Sequence, residues 1–389
     1  TAVTYAGQYF DLVKALDARG YLISARVSDR ESQYHEDERF VVEDRSIPFF
    51  KSSNSLLFYA GQIWSSLGVI VSALRFRADV AIVTEGLTRF FLVAILPWFG
   101  IEVVPTIHCV LWRKYSESGP SRSQRIFLRL SKYLFSRACL ATIVVSDEIG
   151  AQVRKVAGEE VKPILRSFPL YRPESFVEIA APERSPDRPF RILFAGRVVT
   201  NKGVFDLLEA AKQLRDRGGR NIAFDVCGRG DALEALRAAV VAADLEESFH
   251  CHGHCDRDRM RHMLEQSHVA IVPTQTSFIE GFSKSVVEGV AAGRPTIASR
   301  VCNDLDFFDG AVLPVEPNNV GAYVDAIARL CDDSEFYQQM LQQCQKYRSA
   351  FSDPKKAWGG LLQQLFAGHF GVVADPSTHP EQPDPKQLV

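Results

Sequence analysis

Short apolar runs bounded by turn residues recur along the chain and alternate with longer stretches whose apolar positions repeat at helical spacing. In the first half the strand-like runs are YLISARV (21–27), DVAIVTE (79–85), IEVVPTIH (101–108) and ATIVVS (141–146). Helix-length segments such as FDLVKALDAR (10–19) and NSLLFYAGQIWSSLGVIVSAL (54–74) lie between them. A second series follows: RILFAGR (191–197), NIAFDVCG (221–228), SFHCHG (248–253), HVAIVPT (268–274) and RPTIASR (294–300). Apolar strands separated by helices of this length predict parallel sheets covered on both faces. Segment 172–189, rich in Pro, Glu and Arg, follows neither period and reads as a linker. Residues 372–389 hold four prolines and few apolar residues, so a disordered tail is expected there.

At 389 residues the chain exceeds one ordinary domain, which agrees with the two series. Hydrophobic residues make up 46% and charged residues 24%, an ordinary globular composition. A net charge of −2 gives no global basic field, so a nucleic-acid partner is not expected. Eight cysteines are scattered and no secretory leader is read, which predicts reduced thiols and a cytoplasmic protein. The most apolar run, FFLVAILPWFG (90–100), is shorter than the roughly 20 residues of a spanning helix, and Pro97 interrupts it. No transmembrane helix is read from the sequence.

FHCHGHCDRD (249–258) concentrates three histidines and two cysteines, the pattern that first suggests a metal. Strand alternation puts His250 and His252 on one face and Cys251 on the other, so these neighbours diverge. Cys251-x3-Cys255 has no second matching pair. Both facts argue against a metal site, although a metal-binding protein built on 250–255 stays as an alternative.

Three strand ends in the second half carry more chemistry. AGRVVTNKG (195–203) places Arg197 and Lys202 on a glycine-bounded turn before a helix, which suits a diphosphate; an exposed loop with solvated charges is the plain alternative. FDVCGRGDALEAL (224–236) has Leu233 where the dinucleotide fingerprint needs a third glycine. PTQTSFIEGFSKSVVEGVAAGRPTIAS (273–299) brings Glu280, Gly281, Phe282 and Ser283 to the start of a helix, with Glu288 inside it. Gly281 permits close backbone approach, and Ser283 with the following N–H groups can receive an anion. Ser285-Val-Val-Glu288 is equally a capping-box pattern, which would make Glu288 structural.

The order AGR-x4-KG, then GRG, then EGF-x5-E and A-x-GRP-x-IAS resembles the donor-binding domain of the retaining glycosyltransferases of family 4, closely over about 190–350. The resemblance implies the GT-B architecture, an α/β fold of two Rossmann-like doubly wound parallel-sheet domains facing across a cleft. Its expected division is an acceptor-side domain at 1–171, the linker at 172–189, and a nucleotide-sugar donor domain at 190–350. A C-terminal helix at 351–371 is expected to cross back to the first domain. It implies transfer of a sugar from a nucleotide-diphosphate sugar to an acceptor hydroxyl, the acceptor being a glycan, a lipid-linked sugar or a small molecule. No cofactor or metal is expected, because DRD (256–258) and DLD (304–306) lie away from the matched donor position and Asp256 reads as a helix N-cap.

By the same resemblance, Arg197 and Lys202 clamp the diphosphate, Glu280 holds hydroxyls of the donor sugar, and backbone N–H groups of 281–283 touch sugar and phosphate. Glu288 accepts from the ribose. Gly228, His252, Gly253 and His254 border the base. His108 stands at the acceptor side of the donor sugar. Gly7, with Gln8, corresponds to a glycine loop before the first helix. A full strand precedes that loop in the family, but only TAVTY precedes Ala6 here, so the chain reads as starting inside that element. Another GT-B chemistry, such as sugar-nucleotide epimerisation, is the alternative within enzymes. Segment 121–137, with Arg122, Arg125, Arg129 and Lys132 at helical spacing, reads either as a peripheral contact with the inner membrane face or as a solvated face.

Overall fold

The computed structural model describes residues 2–24, 39–49, 52, 54–84, 87–115, 119–176, 179–180, 182–185 and 187–371. The tail at 372–389, read above as disordered, lies outside the described residues. The chain divides into two units, one of Thr1–Leu111, Pro120–Phe168 and Pro354–Val389, the other of Trp112–Gly119 and Pro169–Asp353.

The first unit runs α1 (Ala2–Ala15), β1 (Gly20–Ser24), β2 (Phe40–Asp44), α2 (Ser55–Phe76), β3 (Val80–Thr84), α3 (Leu87–Val93), β4 (Glu102–Ile107), α4 (Arg122–Tyr133), β5 (Thr142–Val144), α5 (Asp147–Ala157) and β6 (Ile164–Arg166). Strands β1 and β2 pair in parallel, and β3-β4-β5-β6 form a parallel sheet in that order. Three of the helices start at a local signal. Asn54 caps α2 through its side chain, Ser121 and Gln124 cap each other at α4, and Ser146 caps α5.

The second unit runs β7 (Phe190–Ala195), α6 (Val204–Arg217), β8 (Ile222–Cys227), α7 (Leu233–Val241), β9 (Phe249–Gly253), α8 (Arg257–Gln266), β10 (Val269–Val272), α9 (Lys284–Ala291), β11 (Thr296–Ser299), β12 (Val312–Val315), α10 (Val320–Asp332) and α11 (Ser334–Gln345). Its sheet is six-stranded and parallel throughout, in the order β12-β11-β10-β7-β8-β9. The strand period of two sorts its faces. Ile192, Phe194, Phe224 and Val226 pack with α6, α7 and α10, whereas Leu193 and Cys227 face Met263 and Leu264 of α8.

The last helix, α12 (Trp358–Phe370), belongs to the first unit. Trp358, Leu362 and Phe366 repeat every four residues and bury against Leu12 of α1, Val104 and Ile143. Burying three such side chains contributes about 1.5–3 kcal/mol each. The Trp358 Nε1–H donates to Thr106 Oγ1 at 3.2 Å, so even the polar edge of the indole is satisfied.

Segment 172–189, read as a linker, is pinned to the second unit by three arginines. Arg294 donates to the carbonyls of Leu264 at 2.8 Å and Ala180 at 2.5 Å. Arg348 donates to the Ile179 carbonyl at 3.0 Å, and Arg184 donates to the Cys331 carbonyl. Arg294 is wholly buried, and burial pushes its guanidinium down to about 10. The Arg of the GRP turn therefore joins backbone segments together.

Two sequence expectations change. Gly7 lies inside α1, not on a loop before it. The reason is the spacing of Tyr9, Leu12 and Leu16, which continues a helical face packed on the α12 cluster and draws the preceding residues into the same helix. No transmembrane helix is read from the sequence, yet among the described residues α2 meets the length and composition of one over Leu56–Phe76.

Candidate functional site

The carboxyl ends of β7, β8 and β9 are laced by backbone hydrogen bonds that continue the ladder past the strands. Gly196 N–H donates to the Cys227 carbonyl at 3.0 Å and Gly228 N–H to the Gly253 carbonyl at 2.7 Å. Only glycine fits two of these positions. Gly228 has φ +148°, and a Cβ there would stand 1.7 Å from the Gly196 oxygen. At Gly203, with φ +76°, a Cβ would meet the Pro273 oxygen at 2.0 Å. The glycines thus draw three loops into one surface. Gly228 and Gly253, read as base-site residues, have a direct structural role in this lacing.

On that surface Lys202 Nζ lies 2.5 Å from Glu280 Oε2, with both side chains at most 15% exposed. The Phe278 ring lies 3.9 Å from Lys202 Nζ and 5.4 Å from the Arg197 guanidinium carbon. The loop carrying Glu280 is fixed from beneath, where Asn303 Nδ2 donates to the carbonyls of Glu280 at 3.0 Å and Gly281 at 2.9 Å. Phe282 stacks on Phe308 at 6.4 Å. Ser283 is the N-cap of α9 and is buried, yet its side chain caps none of the helix's first N–H groups among the described residues. Two cations, a carboxylate and the positive end of a helix therefore share one edge of the sheet.

Glu288, one helix turn into α9, is not part of a capping box. The helix begins at Ser283, and Ser285 Oγ donates to the Ala195 carbonyl at 2.7 Å, tying α9 to the end of β7. Glu288 instead accepts from the Tyr171 hydroxyl at 3.0 Å. Burial raises the Glu288 carboxyl above its usual range, and the Tyr171 hydrogen bond works against that rise. Burial, followed by the neighbouring Glu288 charge, pushes the Tyr171 phenol well up. Both side chains line a cavity of about 340 Å³ with Phe176, Met260, Leu264 and Ser285. Arg197, Lys202 and Glu280 are not in its lining, so the site divides into a half-open pocket around Glu288 and a separate charged cluster.

In the histidine cluster, His252 has side-chain partners from neighbouring elements. The His250 and His252 rings lie 6.1 Å apart, and Cys251 packs toward the core on the opposite face. His252 Nε2 lies 2.7 Å from Oδ1 of the fully buried Asp225, which also receives both prongs of Arg191 at 2.9 and 2.6 Å. Arg259 reaches His252 Nδ1 at 3.3 Å. Among the described residues no group of three His, Cys, Asp or Glu could hold a metal ion. His254 is exposed on the following loop, and Asp256 caps α8 by accepting from Arg259 N–H at 2.8 Å.

His108 follows β4 in the first unit, half-buried, and Gly7 belongs to that unit as well. The donor-side residues Arg197, Lys202, Gly228, Glu280–Ser283 and Glu288 all belong to the second. Sequence reading missed Asp225, Arg191, Phe278, Tyr171 and Asn303. Asp225 left a signal, since a carboxylate within an apolar strand run demands a buried partner. Phe278 and Tyr171 left none, as each is an ordinary aromatic in a loop.

Two parallel α/β units, one with a charged, glycine-laced strand-end surface, define the GT-B architecture. Residues 176–347 match the family described as "Glycosyl transferases group 1". The α-D-kanosaminyltransferase of Streptomyces kanamyceticus is 24% identical over 332 residues, 78% of this chain and 83% of that enzyme. The 2-deoxystreptamine N-acetyl-D-glucosaminyltransferase of Niallia circulans is 31% identical over 147 residues, which span 37% of this chain and 36% of that enzyme. Anabaena HepE, solved in complex with UDP, superposes with a TM-score of 0.66 at 15% identity and covers 95% of this chain and 96% of its own. Sucrose-phosphate synthase of Thermosynechococcus elongatus superposes with a TM-score of 0.64 at 15% identity, covering 92% and 100%. The second unit therefore carries a domain of the glycosyl transferases group 1 family.

Proposed function

We propose that the protein is a retaining, metal-independent glycosyltransferase that moves a sugar from a nucleotide-diphosphate sugar to an acceptor hydroxyl. The observation that carries this reading is the Lys202–Glu280 pair beside Arg197 at the N-terminus of α9. A diphosphate arriving there competes with Glu280 for Lys202. Once released, the Glu280 carboxylate accepts hydrogen bonds from the donor-sugar hydroxyls. The N–H groups of Gly281, Phe282 and Ser283 reach sugar and phosphate, and Glu288 in its pocket accepts from the ribose.

In the reaction the bond from the anomeric carbon to the phosphate oxygen breaks, and its electrons leave with the nucleoside diphosphate. The acceptor oxygen bonds to the same face of that carbon and passes its proton to the departing phosphate oxygen on that face. Arg197, Lys202 and the α9 dipole stabilise the leaving charge in place of a divalent cation. His108 serves the acceptor side. Gly7, being helical, supplies no glycine loop, so the first unit's contribution to the diphosphate falls to other residues. The relatives named for transfer to 2-deoxystreptamine and for amylovoran biosynthesis support an acceptor that is a small molecule or a glycan.

A thermal-shift screen of UDP-, GDP- and ADP-sugars with chelator present, followed by hydrolysis assays on the hits, tests the proposal. At least one series should raise Tm and release its sugar. No stabilisation by any nucleotide sugar or free nucleoside diphosphate would overturn it, and a metal requirement that persists after clean chelation would remove the metal-independent part.

A further inference from the structure

Helix α2 inverts the usual pattern of a surface helix. Its buried positions are Gly61, Ser65, Ser66 and Ile70, and Ser66 satisfies its hydroxyl by donating to the Gln62 carbonyl at 2.7 Å. Apart from Arg75, its exposed positions are apolar: Leu57, Ala60, Trp64, Leu67, Val71 and Leu74 follow one another at steps of three and four. Trp64 is 72% exposed and Leu56, at the start of the helix, 81%. Little of the apolar stretch is buried, 22% in all, so it is not the core helix of a globular unit. The small buried residues let α2 lie close on the fold. A Cβ at Gly61 would meet the Pro48 oxygen at 1.9 Å. The helix is therefore held along the surface, with its apolar stripe turned outward.

Helix α4 continues the same kind of surface. Tyr59 of α2 donates to Ser123 Oγ at 2.9 Å, and its ring lies 5.0 Å from Phe127. Along α4, Ile126, Leu130 and Tyr133 are exposed, and the Tyr133 hydroxyl receives Trp98 Nε1–H at 3.3 Å. Trp98 is 73% exposed and Phe99 beside it 59%. Arg122, Arg125, Arg129 and Lys132 are exposed on the same helix. Segments 54–78, 87–101 and 121–146 together contain eight Lys or Arg and no Asp or Glu, in a chain of net charge −2.

We infer that α2, α4 and the turn at 96–99 form a docking face of the first unit for an anionic lipid surface. The apolar stripe and Trp98 enter the interface, and the arginines reach the phosphate layer with their stems on apolar ground. Charge decides the occupant. A second copy would bring a like-charged face against these cations, whereas anionic headgroups neutralise them. The inference is independent of the donor-site reading and would survive its failure.

The test is co-sedimentation of the full chain with vesicles of phosphatidylcholine alone or mixed with phosphatidylglycerol, at low and raised salt. The chain should pellet with the mixed vesicles and be partly released by salt. Trp64→Gln with Leu67→Gln should weaken pelleting more than about tenfold while Tm stays unchanged. Arg125→Glu with Arg129→Glu should weaken it by about a hundredfold on the mixed vesicles and remove the salt dependence. No pelleting of the wild type, or pelleting unchanged in the Trp64/Leu67 variant, would overturn the inference. So would a lipid-free dimer, seen by light scattering, that the same variant dissociates.

Discussion

Both units are parallel sheets under helices, yet they place their anomalous residues oppositely. The second unit buries acidic and basic side chains: Asp225, His268 and Arg294 are the Asp, Glu, His, Lys and Arg residues of the described core, and all three lie there. The first unit buries only neutral polar groups such as Ser66, Thr106 and Gln152, and exposes hydrophobics instead. Of the exposed large hydrophobics among the described residues, only Val241 and Ile279 lie outside it. Buried, paired charge fixes backbone in one arrangement, as a site for a small charged ligand requires. Exposed apolar surface costs solubility and is kept where another surface covers it.

The largest effect that would break this contrast is at Asp225. Replacing it by Ala leaves Arg191 beside a buried vacancy in charge, and urea unfolding should show a loss of about 3–5 kcal/mol. The paired change Asp225→Leu with Arg191→Met should lose much less. An equal loss in both would mean that packing, not charge, holds the strands there.

The next is the acid response of His268. Its Nδ1 accepts Arg191 N–H at 3.0 Å, so the neutral ring carries its proton on Nε2, and burial lowers its pKa to about 4. The unfolded chain binds that proton more readily, since its histidine titrates near 6.5. The stabilising contribution is therefore whole above pH 6.5 and is lost as pH falls toward 4, by about 3 kcal/mol. Unfolding measured across that window should steepen for the wild type and flatten in His268→Gln. The smallest effect is expected on α2, where Leu57→Gln or Leu67→Gln should move stability by less than about 0.5 kcal/mol. A loss of several kcal/mol would mean that the stripe is covered within the molecule.

The sequence carried the second unit further than the first. Strands such as RILFAGR and HVAIVPT were legible because a fully buried parallel strand is a continuous apolar run between turn residues. Strands β2, β6 and β12 were not: FVVED ends in charge, ILR has three residues, and Pro314 interrupts VLPV, a position tolerated because β12 is an edge strand. The residue set at 197, 202, 280 and 288 was visible from its spacing. Its partners Tyr171, Phe278 and Asn303 were not, because only the fold brings those loops together. Gly7 was misplaced because six preceding residues say little about whether a strand or a helix precedes it. Helix α2 was legible as a helix-length segment at 54–74, but which of its faces is buried was not, for a physical reason. Pattern reading sends apolar positions inward, and this helix turns Gly61, Ser65 and Ser66 inward instead.

The donor site itself is tested most directly by calorimetric titration of the nucleoside diphosphate found in the screen, with chelator present, against the wild type and the Arg197→Ala and Lys202→Ala variants. The account predicts binding to the wild type without metal and a loss of about tenfold to a hundredfold in affinity in each variant, the range of a charge-assisted contact. Undiminished binding in both variants would contradict it.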